Sequence, residues 1–448
     1  MRRYRLIAWG WYSYFKSSKG TTRYKLRYLI TGLNAIFLFL SIKNQTSIYI
    51  ISSVLLNIIL LTNPKYLVAS LFTTTLMLII WKLSENSYIP QQISGEYSVN
   101  KILSKGVVIK VNNNNVFLWT KIHLNVHDII FIKGKIITTQ NEKIKGFLEQ
   151  NNIKNLFKGT ISLLDKDYSL TSKIRDFFSN GSESTRKIMP LLYLNDVFWI
   201  DKTIQNQLKS LSIIHLFVVS GFHLSLFFIC LKKLLSLMRI PYSKHISLIP
   251  LAFYVYIVNF STPSIRSFIM IALSTLPIKK FNKLDGSGIS MILISIFFPR
   301  SVISMSFIFS FAATCTICFI TSFKLENKIQ EFFLINIFVY IISLPLIIHI
   351  NNWFSIFGIF YNILFTPIVS IFYILGILFL PFSNIEIHLC NLLIFLFEII
   401  SKTTIIINVN FLSLNIAFIY YIIFIICILF MEQKITLYRM RKNELLIR

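Results

Sequence analysis

Acidic residues are scarce in this chain, which carries 18 Asp and Glu against 45 Lys and Arg, with all charged residues together at only 14%. A soluble domain needs more polar surface than that to cover its interior. With 55% hydrophobic residues and a mean hydropathy of +0.66, a soluble globular fold is excluded. Cysteine is sparse too, and Cys230, Cys315, Cys318, Cys390 and Cys427 all fall in apolar stretches. Cys315 and Cys318 form a C-x-x-C, but within "FAATCTICFI" they read as packed or lipid-facing helix, not as a zinc or redox site. No P-loop or other nucleotide signature is present, so the chain carries no motor of its own. No cofactor is expected. The first 28 residues are basic and aromatic without a short apolar core, so no cleavable signal peptide is expected.

What the chain has instead is a succession of apolar runs of membrane-spanning length. Three come early, near 29–42, 47–61 and 66–82. Arg2, Arg3, Arg5, Lys16, Lys19, Arg23, Lys25 and Arg27 precede the first run, which puts the N-terminus in the cytoplasm, and three crossings then put the next region outside. Seven to nine further runs follow between 212 and 431, near 213–231, 246–260, 264–278, 287–298, 302–323, 333–350, 355–380, 386–408 and 411–431. The basic tail 432–448 is expected in the cytoplasm. Several late runs are interrupted by Pro263, Pro277, Pro345, Gly358, Pro367, Gly376 or Pro381. Irregular backbone at membrane depth survives only against protein or a water-filled cavity, so the pattern favours a pathway over an anchor. The net charge of +27 has plain sources: A+T-rich coding, which favours Lys, and the basic flanks of membrane spans.

Between 84 and 165 the period changes from long runs to alternation, as in "GVVIKV", "NVFLWTKIHL" and "DIIFIKGKIIT". Asparagines 112–115, Gly134 and Gly146 punctuate it. About five short strands fit a small β-barrel of the OB type. Residues 101–158 hold ten Lys and three acidic residues, an excess that topology does not explain in a long external domain. Aromatics Phe117, Trp119 and Phe131 are interleaved with lysines, Lys121, Lys133 and Lys135 among them, and a basic groove with aromatic platforms is how OB folds hold single strands. The competing reading is that the rings fill the barrel. Residues 166–211 read as amphipathic, juxtamembrane helices. The expected fold is therefore a polytopic α-helical membrane protein with an inserted extracytoplasmic OB-like barrel. Its parts are 1–83, 84–165, 166–211, a multi-helix domain 212–431, and the tail 432–448.

The stretch "HLFVVSGFHLSLF", 215–227, sets His215, Ser220, Gly221 and His223 inside an apolar run. Ser220 and His223 lie one turn apart, so a nucleophile and base are conceivable. Against this, position 218 is Val where a rhomboid-type intramembrane protease has Gly, and the histidine of such enzymes sits on another helix. A metal site fits poorly, because neither His215 nor His223 has a carboxylate nearby and "HLNVH" at 123–127 has strand spacing. His215 could also be packed against a carbonyl. The reading preferred is a broken helix whose polar residues face a polar route through the bundle.

"IHLFVVSGFHLSLF" resembles the H-L-x-x-x-S-G-x-H signature of the ComEC family of bacterial competence channels, which carry single-stranded DNA across the cytoplasmic membrane. The resemblance continues in order along the chain. "LLYLNDVFWIDKTIQNQLKSLSIIHL" looks like the approach to that signature, and "NFSTPSIRSFIM" like the family's P-x-x-R-A-x-x-M segment, matching Pro263 and Arg266. "FFPRSVISMSFIFSFAAT" is similar to a further conserved region, and "FGIFYNILFTPIVS" to an N-x-x-x-x-P segment, matching Asn362 and Pro367. Upstream, "HDIIFIKGKI" and "GFLEQNNIKNLFKG" look like the family's OB-like domain. The chain departs from the pattern at Ser267, which stands for Ala, at Arg300, and in "FIFSFAAT", which lacks a Gln. Many members end in a metallo-β-lactamase-like domain with an H-x-H-x-D-H motif; nothing of that kind occurs here, so no enzyme activity is expected.

The resemblance implies a channel for uptake of single-stranded DNA in natural transformation, lined by His215, Ser220, Gly221, His223, Pro263, Arg266, Asn362 and Pro367. On the external domain the basic, aromatic pattern points to DNA contacts by Phe117, Trp119, Lys121, Lys133 and Lys135. The implied partners are single-stranded DNA, a cytoplasmic DNA-translocating ATPase and an external DNA receptor; a separate nuclease and a second copy of this chain remain open. The implied location is the bacterial cytoplasmic membrane. An exporter of small molecules or polymers with an external β domain is the reading from a different class, and an intramembrane serine hydrolase is the third.

Overall fold

The computed structural model describes residues 27–44, 47–60, 64–85, 90–103, 106–112, 114–120, 122, 124–137, 148, 153, 155–196, 200–275, 283–323, 325–379, 382–409 and 420. Three helices come first: α1 (Arg27–Asn44), α2 (Ser47–Leu60) and α3 (Pro64–Glu85). Between apolar helices in lipid, close backbone approach and polar links supply the cohesion that water would otherwise drive. Both are present here. The Asn34 amide donates to Asn57 Oδ1 and to Ser70 Oγ, each at 2.8 Å, so one buried side chain joins α1, α2 and α3.

These helices do not stand apart from the rest of the chain. α11 (Lys283–Phe297) lies against α1 so closely that a Cβ on Gly288 would run into the backbone of Tyr28 and Leu29, and one on Gly32 would press on Met291 at 3.2 Å. Leu29, Phe37, Phe39, Met77, Met291 and Phe307 share one buried cluster.

Residues 92–165 form a closed barrel of five strands in the order β1-β2-β3-β5-β4. Its strands are β1 (Gln92–Leu103), β2 (Gly106–Val111), β3 (Asn114–Trp119), β4 (Ile129–Ile137) and β5 (Asn155–Asp165). β3 and β5 run parallel and every other pair is antiparallel, so the barrel is of the Greek-key OB type. Alternation explains the interior: Ile130 and Ile132 point in, while Lys133 and Lys135 are exposed. β2 is buried on both faces, because Val108 and Phe117 form a second cluster with Leu103, Leu148, Ile153 and Leu156. Gly134 faces Gly159 across β4 and β5, and a Cβ on Gly134 would sit 2.7 Å from the Gly159 Cα and 2.9 Å from the ring of Phe157.

Three helices lead from the barrel to the helical bundle: α4 (Leu170–Ser179), α5 (Glu183–Leu194) and α6 (Lys202–Ser210). α5 goes deeper than a surface-lying helix. Met189 and Leu192 are wholly buried, and the cluster around them includes Phe365, Tyr373 and Phe397 of the bundle. Lys187 ties α5 to the start of α6 through Glu183 at 2.5 Å and Asp201 at 2.7 Å, and these two carboxylates raise its pKa above the ordinary lysine value. Arg175 of α4 is buried and donates Nη2 to the Ile257 carbonyl at 3.1 Å.

Besides the one-turn helix Ser243–Ile246, the remaining α-helices are α7 (Ile214–Phe217), α8 (Gly221–Leu237), α9 (Leu248–Ile257), α10 (Thr262–Thr275), α11, α12 (Met305–Ser322), α13 (Lys328–Asn351), α14 (Gly358–Leu378) and α15 (Ser383–Ser401). Six segments of the described chain are long and apolar enough to cross a membrane, and the protein is a multi-pass membrane protein with an inserted barrel. The apolar run 386–408 is not one helix to its end. After Ser401 the chain turns, and β7 (Ile406–Asn408) pairs with β6 (Trp353–Ser355) in a short ribbon. The expected run 411–431 apart from Tyr420, the tail and residues 1–26 lie outside the described residues.

The turn between α9 and α10 touches the barrel, where the Asn259 amide donates to the Asn100 carbonyl at 3.1 Å. Val219 and Leu224 around the start of α8 share a buried cluster with Tyr254 and Val258 around the end of α9, so the start of α8 lies near this turn. The Gly134–Gly159 contact generates a test. Gly134→Val is expected to cost about 1–3 kcal/mol through overpacking. Limited proteolysis of the detergent-solubilised chain should then cut faster within 90–165 while the bundle fragments persist.

Candidate functional site

Residues 212–223 are a helix interrupted at its start. α7 lasts one turn, Val218 is extended at φ −80°, ψ 135°, and Ser220 is extended at φ −122°, ψ 175° before α8 begins at Gly221. Ser212, just upstream, turns the chain with a positive φ of 58°. A break at this depth leaves backbone groups that must find partners. The Ser220 N–H finds His223 Nδ1 at 3.2 Å, and Ser220 Oγ lies 3.1 Å from the same nitrogen. An amide N–H can only donate to an unprotonated ring nitrogen, so the neutral His223 carries its proton on Nε2. That Nε2 is buried, and among the described residues no protein atom accepts from it.

Two side chains from distant segments grip the break. The Asn362 amide of α14 donates to the Ser212 carbonyl at 3.2 Å and to the Gly358 carbonyl at 2.7 Å, which fixes the upstream end. At the downstream end lies Arg266 of α10, 9% exposed. Its Nε donates to Ser310 Oγ of α12 at 2.7 Å, Nη2 to Ser267 Oγ at 3.3 Å, and Nη1 rests 3.5 Å from the Met270 sulfur. The guanidinium carbon is 6.0 Å from the centre of the Phe311 ring. Among the described residues no carboxylate reaches Arg266 within ion-pair distance. A Cβ on Gly221 would fall 2.8 Å from Arg266 Nη2 and would collide with Ser267 Oγ. Glycine is what lets the guanidinium lie against the first turn of α8.

That juxtaposition is electrostatically one-sided. The N-terminus of α8 carries the positive end of its helix dipole, and a buried cation stands beside it. Burying an unpaired charge costs several kcal/mol, and two hydroxyls, a sulfur and a ring offset only part of it. The arrangement suits an anion or a chain of polar groups arriving from the break.

Behind the break is a set of buried tyrosines. The His223 ring lies 4.9 Å from that of Tyr373, whose hydroxyl donates to Tyr254 Oη at 3.2 Å. Tyr254 donates to the Tyr193 carbonyl at 3.0 Å, and Tyr193 donates to the Tyr373 carbonyl at 2.8 Å. These bonds join α5, α9 and α14 into a wall, against which the His223 ring packs α8. Its members were not legible as a site, since each is a single tyrosine in an unrelated apolar run. Ser310 likewise carries no sequence signal.

Of the other expected residues, His215 is exposed on α7 and Pro263 is half-buried at the second position of α10, where a missing N–H is harmless. Pro367 is exposed on α14. On the barrel, Phe117 is fully buried, so it serves the fold and offers no face to a base, while Trp119 is 43% exposed and stands edge-on to it at 5.0 Å. Lys133 and Lys135 are exposed beside Lys158, which pairs with Lys135 across the ladder. Lys121 lies outside the described residues. Among the described residues no group of histidine, cysteine and carboxylate side chains could hold a metal ion.

The family model for the competence protein family matches residues 192–434, from the end of α5 past the broken helix and through the bundle. This chain belongs to the competence protein family. The uncharacterized protein MG316 of Mycoplasma genitalium is 30% identical over 216 residues, covering 47% of this chain and 58% of that protein. Its homolog in Mycoplasma pneumoniae is 30% identical over 189 residues, covering 41% of this chain and 50% of that one. The chain thus spans 50–58% of the length of these relatives. No solved structure matches it. The matched family region contains the break and both of its grips, Arg266 and Asn362, but not the barrel.

One prediction concerns the joint itself. His223→Ala strips the Ser220 N–H of its acceptor and opens a gap beside Tyr373, at an expected cost of about 2–4 kcal/mol. His223→Gln keeps an acceptor and should recover part of it. Thermal unfolding in detergent measures both.

Proposed function

We propose that this competence-family protein conducts single-stranded DNA across the cytoplasmic membrane, entering from the barrel side and passing the break at 218–221. The observation that carries the reading is Arg266: a buried cation with no carboxylate partner among the described residues, pressed on the first turn of a broken helix. A passing phosphate would supply the missing negative charge for the time it takes to move on. His215 and the Ser220 hydroxyl would give the strand polar contacts as it enters.

The barrel would collect the strand. OB folds commonly bind on the face of strands 2 and 3. Here that face is closed by Leu148 and Ile153 over Val108 and Phe117, so the lysines of β4 and β5 are left to make the contacts. Lys133, Lys135 and Lys158 hold phosphates, with Phe131 on the same face of β4. Both termini lie in the cytoplasm and the barrel lies outside, as the basic flank of the first helix requires. A cytoplasmic ATPase pulls and an external receptor delivers.

The hydrolase reading has one point in its favour, the 3.1 Å approach of Ser220 Oγ to His223 Nδ1. The same nitrogen already accepts the Ser220 backbone N–H, which occupies the lone pair a base would need. The His223 bond therefore reads as a helix-start restraint.

Two experiments test the proposal. In a naturally transformable host lacking its own channel, Gly221→Leu and Arg266→Gln should each lower transformation at least about 100-fold while the protein still reaches the membrane; Ser220→Ala should change it less than about threefold. Loss on Ser220→Ala with Gly221→Leu tolerated would return the hydrolase reading. Separately, the full chain in nanodiscs should bind a single-stranded oligonucleotide with affinity that falls steeply as salt rises, because lysine contacts release counterions. Changing Lys133, Lys135 and Lys158 together to Gln should flatten that slope, and an unchanged slope would remove the barrel from the path.

A further inference from the structure

The β6–β7 ribbon directly precedes α14, the helix whose Asn362 holds the Ser212 carbonyl, and beside the ribbon is a shallow pocket of about 400 Å³. Asn206, Gln207, Lys209 and Ser210 of α6 line one side, and Trp353 and Ile406 of the ribbon line the other. The pocket belongs neither to the Arg266 cluster nor to the barrel. It lies on the route between them in sequence, two to six residues before Ser212, where the chain turns into α7.

Its composition is specific. Trp353 and Ile406 occupy one face of the ribbon, since Trp353 pairs with Asn408 and Ser355 with Ile406. That face is held in place from behind. Tyr340 donates to the Ser355 carbonyl at 2.6 Å, Tyr361 to the Thr403 carbonyl at 3.1 Å, and the Val409 N–H to the Asn352 carbonyl at 3.0 Å. A half-exposed indole on so short a ribbon would normally be covered or mobile; here these three hydrogen bonds hold the ribbon and its flanks to the bundle. Opposite the indole stand two side-chain amides, a hydroxyl and an ammonium group. Among the described residues no carboxylate lines the pocket.

An aromatic face, amide edges and one cation match the parts of a nucleotide: a base to stack, base edges to hydrogen-bond, and a phosphate. The geometry points to a nucleotide-docking subsite at the mouth of the path, in which one base of the incoming strand stacks on Trp353 while Lys209 meets its phosphate. This rests on the single-strand reading above and adds to it a place where bases, and not only phosphates, are gripped. Stacking is tolerant of sequence, so the subsite would hold any base.

The full chain in nanodiscs, with fluorescence anisotropy of a labelled 12-residue oligothymidylate and of an abasic oligomer of equal length, tests it. Wild-type protein is expected to bind the base-bearing strand about tenfold more tightly than the abasic one, as one good stack gives. Trp353→Ala should abolish that ratio, Trp353→Phe should keep part of it, and Lys209→Gln should weaken both strands alike. A ratio unchanged in Trp353→Ala overturns the subsite and leaves the channel reading standing, as does a wild-type protein that binds both strands equally. A wild-type protein that binds neither strand overturns both.

Discussion

A guanidinium in the middle of an apolar bundle must be balanced by something, and much of this protein is arranged around how Arg266 is balanced. Hydroxyls from Ser267 and Ser310 and a sulfur from Met270 take some of its hydrogen bonds, and the ring of Phe311 takes part of its charge. None of these neutralises it. The position next to Gly221 adds the positive end of a helix to the same spot. In a soluble protein this would be an anion site at once; at membrane depth it is costly in the resting state and useful only if anions pass. The rest of the bundle holds that spot still. Asn362 fixes the chain before the break, His223 fixes it after, and the Tyr193, Tyr254 and Tyr373 bonds make the wall behind it.

The barrel and the N-terminal helices are tied to this arrangement. Arg175 and Asn259 fasten the barrel and its connector to the α9–α10 turn, which begins the helix that carries Arg266. On the other flank, the close crossing of α1 and α11 at Gly32 and Gly288, with Asn34 bridging three helices, makes the first three helices a buttress of the bundle. A strand held on the barrel would therefore be held at a set distance from the break, not on a loosely tethered domain. Preorganisation of this kind lowers the ordering cost of each contact.

Much of this was legible in the sequence for physical reasons. Period-2 alternation in "GVVIKV" and "DIIFIKGKIIT" marks strands, and the structure has them in a closed five-stranded barrel. The polar cluster His215–His223 inside an apolar run predicts a broken helix, and the helix stops at Phe217 and restarts at Gly221. Other features have no local signal. Phe117 alternates like a surface aromatic, yet it is buried because a later segment, around Leu148 and Ile153, covers that side of the barrel. The apolar run 386–408 reads as one span, but its last residues pair with Trp353, a long-range ladder that no window of hydropathy detects. Ser310 joins Arg266 from 44 residues away and looks like any serine in an apolar helix.

The central claim is that single-stranded DNA touches the broken helix during transport. A photo-crosslinking amino acid placed at position 215 reads this directly, in a transformable host whose own channel is replaced by this protein, with the incoming DNA stalled by a bulky block at its trailing end. A covalent adduct between position 215 and the stalled strand, competed away by unlabelled DNA and lost in Gly221→Leu, is the predicted result. Adducts formed from barrel positions such as 133 but never from 215 would contradict the account.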